Sequence, residues 1–376
     1  MIFSDTDREM MALALQLAER GRYTTSPNPR VGCVITQNDK LVAEGWHVRA
    51  GSGHAEVNAL AQIDNATDAT VYVTLEPCSH SGRTPPCADK LIDANVARVV
   101  VAIVDPNPVV AGQGIARLRD AGIQVDVGLM AEQAADLNKG FMRRISGGLP
   151  WVRLKSASSL DGRTAMASGE SQWITGPAAR QDVQRLRAES CAIVSGVDTI
   201  LYDNALFTVR PEAFAPELKD QYWRQPLRVI LDSNLRTPVD AKLFSEGGEV
   251  IIATVVSDPE RYVALTAVGA IILCLADDGN GRVSLPALMR YLADRGCNDV
   301  LVEAGATLAG SVLRADLVDE WFVYMAPSLM GSAGRPLVEW PMSKMAGQQS
   351  LEIIDIRAVG KDWRIHCRIP ALIGGA

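Results

Sequence analysis

The sequence predicts an α/β protein of two domains. Three observations carry this reading. A length of 376 residues, at roughly 150 per domain, holds two cores. Short β-branched runs alternate with amphipathic helices through both halves. Paired glycines followed by a proline, Gly147-Gly148-Leu149-Pro150, interrupt the rhythm between the halves. With 48% hydrophobic and 22% charged residues, the composition is that of a folded globular chain.

The first half opens on a helix over Asp5 to Arg20, with Met10, Leu13, Ala14 and Leu17 on one stripe and Gly21 as its stop. The runs VGCVIT and KLVAEGWH read as strands. They are followed by a helix HAEVNALAQI, a strand TVYVTLEP, a Gly/Pro-bearing loop SHSGRTPP, a helix CADKLIDANV and a strand RVVVAIVDP. Such βαβ order implies a sheet between helical layers, with functional side chains at strand ends and helix starts. The stretch MRRISGGLPW is weakly patterned, so the boundary is expected after Ser146, giving domains 1–146 and 147–376. Beyond it VRLKSAS, CAIVSGV, LRVILDS, VIIATVV, AIILCLA, DVLVEAG and DEWFVYMAP alternate with helices such as PAARQDVQRLRAE and LPALMRYLADRG, and no fixed-period repeat appears.

No run approaches the roughly 20 apolar residues of a membrane helix, and the start carries acids where a signal peptide is basic, so a cytoplasmic protein is expected. The net charge is -7, and residues 1–146 carry 14 basic against 17 acidic groups. The footprint of a nucleic-acid protein is missing, which favours small-molecule substrates. The seven cysteines are scattered and odd in number, as thiols of a reducing compartment. Of these, Cys33, Cys191, Cys274, Cys297 and Cys367 are expected to be buried thiols.

One Cys/His cluster stands out. His54-Ala55-Glu56 opens a helix after two glycines, Pro77-Cys78 follows a strand, and Cys87 opens the next helix with eight residues between the cysteines. Zinc takes tetrahedral N and S ligands, and three protein ligands with a fourth position open is the catalytic arrangement, holding a water of lowered pKa. His54, Cys78 and Cys87 supply three, and a helix N-terminus favours the Cys87 thiolate. Glu56 is not needed as a ligand and suits proton transfer from water to a leaving amine. A structural zinc knot is the alternative, but it would need a fourth ligand. His80 and His47 either line a substrate pocket or are only polar loop residues.

In the second half, LVEAGATLAGSVL is a strand running into a glycine-bearing turn and helix, where a phosphate or dinucleotide would meet backbone N–H groups. Alternatively Gly305 and Gly310 only permit a tight turn and close packing. Lys155, on the apolar strand VRLKSAS, either pairs with Asp161 for the fold or serves a site. Trp223 reads as core or an interface contact.

The strings SPNPRVGCVI, HAEVNAL and TLEPCSHSGRTPPC closely resemble the deaminase half of the bifunctional riboflavin-biosynthesis deaminase/reductase family. KSASSLDGRTA, SGESQWITG, the Asp198–Arg210 string and VEAGATLAGS are similar to its reductase half. The match spans about residues 5 to 368. The resemblance implies an N-terminal cytidine-deaminase-like three-layer α/β/α domain and a C-terminal dihydrofolate-reductase-like α/β domain. It implies zinc on His54, Cys78 and Cys87, Glu56 as proton shuttle, and Asn28 against the pyrimidine of a phosphoribosylamino substrate. NADPH would touch Ala157, Trp173, Thr199, Asp203, Ser233 and the turn Gly305, Ala306, Thr307, Leu308, Ala309, Gly310, Ser311. The sugar phosphate would touch Ser171, Arg187, Phe207, Arg210 and Glu303, with Lys155 near the reacting ribose. A homo-oligomer, no nucleic acid and no membrane are expected. The rival readings are a nucleobase deaminase fused to an unrelated reductase, against which the long insert between the cysteines speaks, and a nucleotide-sensing module with structural zinc, against which Glu56 speaks.

Overall fold

A computed structural model of the chain describes residues 3–79, 85–108, 110–214 and 224–370. The chain divides into two compact units, Met1–Gly148 and Leu149–Ala376. The stretch read as weakly patterned is mostly helical, ending where Gly148 takes φ +69° and its N–H donates to the Arg144 carbonyl. His80 and Trp223 lie outside the described residues. No helix among the described residues is long and apolar enough to cross a membrane.

In the first unit β1 (Gly32–Gln37) and β2 (Lys40–Trp46) form a hairpin whose two turn residues, Asn38 and Asp39, both have positive φ, the geometry that matches strand twist. The sheet order is β2-β1-β3-β4-β5, adding β3 (Thr70–Val73), β4 (Arg98–Val101) and β5 (Gln124–Val127). β1 is antiparallel to both neighbours, and β3, β4 and β5 run parallel. The period-2 alternation of these strands feeds two cores. On one face Cys33, Ile35, Val71, Val73, Val99 and Val101 meet α2 (Ala55–Leu60), α3 (Cys87–Asp93) and α4 (Gln113–Asp120). On the other, Val34, Tyr72 and Val100 meet α1 (Asp5–Glu19) and α5 (Ala131–Leu137), while α6 (Lys139–Gly147) closes the unit. Three layers result, with the starts of α2 and α3 brought to one side of β3.

The second unit has a nine-stranded sheet in the order β11-β10-β9-β8-β12-β6-β13-β16-β15. Seven strands are parallel: β6 (Trp151–Ser159), β8 (Ala192–Gly196), β9 (Leu227–Leu231), β10 (Val250–Thr254), β11 (Ala270–Cys274), β12 (Asp299–Glu303) and β13 (Glu320–Ala326). The hairpin β15 (Glu352–Val359) and β16 (Asp362–Arg368) adds antiparallel to β13, and a separate small pair joins β7 (Arg163–Ala165) to β14 (Arg335–Pro336). Buried on both faces, the central strands read as near-continuous Val/Ile/Leu runs. α7 (Pro177–Glu189) and α8 (Val197–Asp203) cover one face, with α9 (Val263–Ala267) beside them. α10 (Leu285–Asp294) and α11 (Ala306–Arg314) cover the other. Of the five cysteines expected to be buried, Cys274 is exposed, because it ends the outermost strand and no strand lies beyond it.

Candidate functional sites in the two units

His54 stands immediately before α2, and its side chain makes no cap bond to the helix. The ring turns instead to the cysteines, with Nδ1 3.6 Å from Cys78 Sγ and 3.3 Å from Cys87 Sγ. Ligand bonds of 2.0 to 2.3 Å in a tetrahedron put ligand atoms about 3.5 to 3.8 Å apart, so this N/S/S set fits zinc. Among the described residues it is the only such group of three. The Cys87 N–H donates to Cys78 Sγ at 3.3 Å, and donation from the Cys87 thiol holds the Cys78 thiol well below its ordinary range. Glu56 is 3% exposed, and burial raises its carboxyl above the ordinary range. It stands beside the three ligands and outside them.

Two residues that sequence reasoning left open or passed over complete this site. His47 is buried, its Nδ1 3.0 Å from the Gly53 carbonyl and its Nε2 3.1 Å from the Asn28 amide nitrogen. A carbonyl can only accept, so Nδ1 carries the proton and Nε2 accepts from Asn28. Burial lowers the His47 pKa, in keeping with this neutral form, and the ring lies edge-on to His54 at 5.6 Å. Glu76, in TLEPC, is buried and accepts the backbone N–H groups of Asp105, Gly112, Gly114 and Ile115. A Cβ on Gly114 would lie 2.0 Å from the Pro77 carbonyl oxygen, so only glycine lets α4 approach the backbone that presents Cys78. The available signal for Glu76 was a carboxylate ending an apolar strand, which needs donors if it is buried.

In the second unit a cavity of about 1210 Å³ opens at the C-terminal ends of β6, β12, β8 and β9. That exceeds the space one small ligand needs. Of the residues assigned to NADPH by resemblance, Ala157, Trp173, Thr199, Asp203, Ser233, Gly305, Ala306, Thr307, Leu308 and Ser311 line it. Ala309 and Gly310 do not: Ala309 is in the core, and Gly310 lies where a Cβ would be 2.2 Å from the Glu339 carbonyl oxygen. Gly310 is therefore a packing glycine. Gly305 is different, for a Cβ there would meet nothing within 4 Å, and it precedes α11 with no side-chain cap. Gly196 likewise precedes α8 uncapped. Two open helix N-termini on one cavity fit a dinucleotide diphosphate.

The residues assigned to substrate, Ser171, Arg187, Phe207, Arg210 and Glu303, line the same cavity. The Arg187 guanidinium forks onto Glu303, with Nε–Oε1 at 2.6 Å and Nη2–Oε2 at 3.0 Å, and also donates to the Thr208 carbonyl. Burial alone would raise the Glu303 carboxyl, but Arg187 and Lys155 outweigh it and hold it below the ordinary range. Ser171 donates to Asp203 Oδ1 at 2.9 Å. Lys155 is the register partner of Glu303 across β6 and β12. Burial pushes its pKa down against the pull of Glu303 and Asp203, and no carboxylate among the described residues lies within 4.0 Å of its ammonium. The pairing of Lys155 with Asp161 that the sequence left open is not made. Asp161 sits past the strand end and accepts from Ser159 Oγ and from the N–H groups of Met330 and Gly331.

The chain matches two family models: the RibD C-terminal domain over residues 150–365, and the cytidine and deoxycytidylate deaminase zinc-binding region over residues 4–103. It is 48% identical over 369 residues to riboflavin biosynthesis protein RibD of Escherichia coli strain K12, covering 96% of this chain and 98% of that one. The Haemophilus influenzae RibD is 47% identical over 369 residues, with 96% and 97% covered. Among solved structures, Acinetobacter baumannii RibD is similar at a TM-score of 0.89 and 44% identity, covering 97% of this chain and 99% of that one. A Thermotoga maritima diaminohydroxyphosphoribosylaminopyrimidine deaminase/5-amino-6-(5-phosphoribosylamino)uracil reductase is similar at a TM-score of 0.84 and 30% identity, with 97% and 99% covered. The N/S/S cluster and the dinucleotide-sized cavity thus stand in a chain that belongs to the RibD family, the bifunctional enzymes of riboflavin biosynthesis that join a zinc-dependent deaminase to an NADPH-dependent reductase.

Proposed function

We propose that the first unit deaminates 2,5-diamino-6-(5-phosphoribosylamino)pyrimidin-4-one and that the second reduces the ribosyl group of 5-amino-6-(5-phosphoribosylamino)uracil to ribityl. The observation that carries the first step is the convergence of His54, Cys78 and Cys87 with an unliganded buried carboxylate, Glu56, beside them. Zinc held by these three supplies a Lewis acid that brings the pKa of water toward neutrality. Asn28, its amide oriented by His47, hydrogen-bonds the pyrimidine. A Glu56 carboxylate oxygen takes one water proton as the C–O bond forms and the ring nitrogen is protonated, then carries the second to the amine, so the C–N bond breaks with loss of ammonia and the water oxygen becomes the new carbonyl. Removing the metal with a chelator is expected to abolish ammonia release and to leave reduction of pre-deaminated substrate intact, with about one zinc per chain by metal analysis before treatment. Ammonia release from metal-free protein would overturn the assignment.

In the second unit, bound NADPH supplies the hydride. Lys155 directs its ammonium donors at the reacting ribose, and Glu303, held by Arg187, accepts from the sugar hydroxyls. The Arg210 guanidinium has no protein partner among the described residues, whereas that of Arg187 is committed to Glu303, so Arg210 is the phosphate contact. Arg210→Ala is expected to raise KM for the phosphorylated substrate by the loss of about 1.5 to 3 kcal/mol, with NADPH affinity and thermal stability little changed. Arg187→Ala is expected to lower stability as well, because Glu303 is left buried and unpaired. Steady-state kinetics with a dephosphorylated analogue and thermal unfolding separate the two; equal losses for substrate and cofactor would contradict the assignment.

The thiolate ligands of the first unit need reducing surroundings, which supports a cytoplasmic location. A homo-oligomer is supported by β15, an edge strand leaving Ile353, Ile354 and Ile356 at 59%, 44% and 51% exposure. A second copy can cover such an edge symmetrically. Sedimentation showing only monomer would remove this reading.

A further inference from the structure

Arg210 lines the cavity of the second unit, and its guanidinium has no partner among the described residues, so its aim depends on the backbone that carries it. That backbone is tied to α7. Gln181, Gln184 and Arg187 follow one another there at intervals of three, which places them along one side of the helix. They bond in reverse order along the chain after α8. Gln181 Nε2 donates to the Ala213 carbonyl at 2.8 Å, Gln184 Oε1 accepts the Arg210 N–H at 2.9 Å, and Arg187 Nη1 donates to the Thr208 carbonyl at 3.1 Å.

Between Thr208 and Arg210 the Gln225 amide makes a two-point bond to Val209: Oε1 accepts the N–H at 2.8 Å and Nε2 donates to the carbonyl at 2.9 Å. A backbone N–H meets only an amide oxygen and a carbonyl only an amide nitrogen, so each bond also fixes which way its glutamine is turned. The segment starts from a conformation that needs such ties. Phe207 is buried with φ +54°, a left-handed geometry that a bulky residue keeps only where its surroundings hold it. Gln184 is itself buried, so its loss would leave the Arg210 N–H without this acceptor. Both glutamines are neutral, and neither sets a negative charge against an arriving phosphate.

We propose that Gln184 and Gln225 are positioning residues of the reductase: they lock Val209 and Arg210 in one backbone conformation and so aim the Arg210 guanidinium at the phosphate of the substrate. This rests on the reading of Arg210 as the phosphate contact. A guanidinium fork binds a phosphate well only when both of its N–H groups face it, and a backbone free to turn at Val209 spreads the side chain over several directions. The reacting ribose belongs to Lys155 and Glu303, so the two amides act through Arg210 on substrate binding rather than on hydride transfer.

The test is a double-mutant cycle on the full chain, with NADPH and either 5-amino-6-(5-phosphoribosylamino)uracil or its dephosphorylated counterpart, followed by NADPH absorbance. Q184M and Q225M keep the side-chain length and remove the hydrogen bonds. Each is expected to raise KM for the phosphorylated substrate about fivefold, with kcat, KM for the dephosphorylated counterpart and NADPH affinity within about twofold of the parent. In an R210A background the same substitutions are expected to change KM by less than about twofold, because the group they aim is gone. Equal losses for both substrates, a loss that persists in R210A, or unchanged kinetics in a folded variant would overturn the proposal while Arg210 kept its role. Should one glutamine variant not fold by circular dichroism, the other is read alone; if neither folded, the amides would belong to the fold and the proposal would fall. An R210A variant that uses both substrates as the parent does would overturn the phosphate reading and the proposal together.

Discussion

Glu56→Gln is expected to hold zinc at the parent stoichiometry and to lose ammonia release by a factor of about a thousand or more. The amide matches the carboxylate in size and fits the same buried space, but it cannot accept the water proton or deliver it to the amine, and general acid-base transfer accounts for factors of this order. The three metal ligands are untouched, so metal content by elemental analysis should not move. Reduction of pre-deaminated substrate should also be unchanged, because Glu56 belongs to the first unit and the NADPH cavity to the second. Parallel assays of ammonia and of NADPH absorbance read both activities from one preparation. If a folded variant lost both activities equally, the division of chemistry between the units would be wrong.

Lys155→Ala is expected to lower reductase turnover by about 100-fold or more with the unfolding temperature near that of the parent. The structure sharpens the contrast between a functional and a structural lysine. Had Lys155 been the partner of a buried carboxylate, its removal would leave that charge uncompensated at about 3 to 5 kcal/mol. Instead Glu303 keeps its two-pronged bond to Arg187, and Asp161 keeps its backbone donors, so the substitution orphans neither. Burial already depresses the Lys155 pKa, which means the fold tolerates the ammonium at this position more than it gains from it. The loss should therefore fall on kcat more than on KM for NADPH, as expected when a transition-state contact is removed. A stable variant with normal turnover would take Lys155 out of the site; a variant that unfolds early would make it structural.

Much of the deaminase site was legible because its signals are local. His54 and Glu56 lie two residues apart at a helix start, and Cys78 and Cys87 each sit at a strand-helix junction, so a handful of consecutive residues carries both ligand identity and placement. Glu76 was not legible. Its meaning lies in four backbone N–H groups from Asp105 to Ile115, and backbone donors leave no mark on residue type. His47 stayed open for a related reason, since a histidine becomes a positioning residue only through what its two nitrogens meet, here Gly53 and Asn28.

The sequence by itself determined the α/β alternation, the stripes and strand runs that fill the cores, and the two short motifs that bring zinc ligands together. These are properties of periodicity and of neighbours within about ten residues, which a chain expresses before it folds. Only the tertiary structure decided that Lys155 faces Glu303 across β6 and β12 rather than Asp161, that Arg187 is committed to Glu303 while the Arg210 guanidinium has no partner among the described residues, and that Gly305 opens on the cavity while Gly310 packs against Glu339. It also decided that Cys274 is exposed, because position in the sheet order rather than strand character determines who is covered. The physical reason is common to all four. Strand register and sheet order join segments far apart in the chain, and the partner of a charge, or the space beside a glycine, exists only once those segments meet.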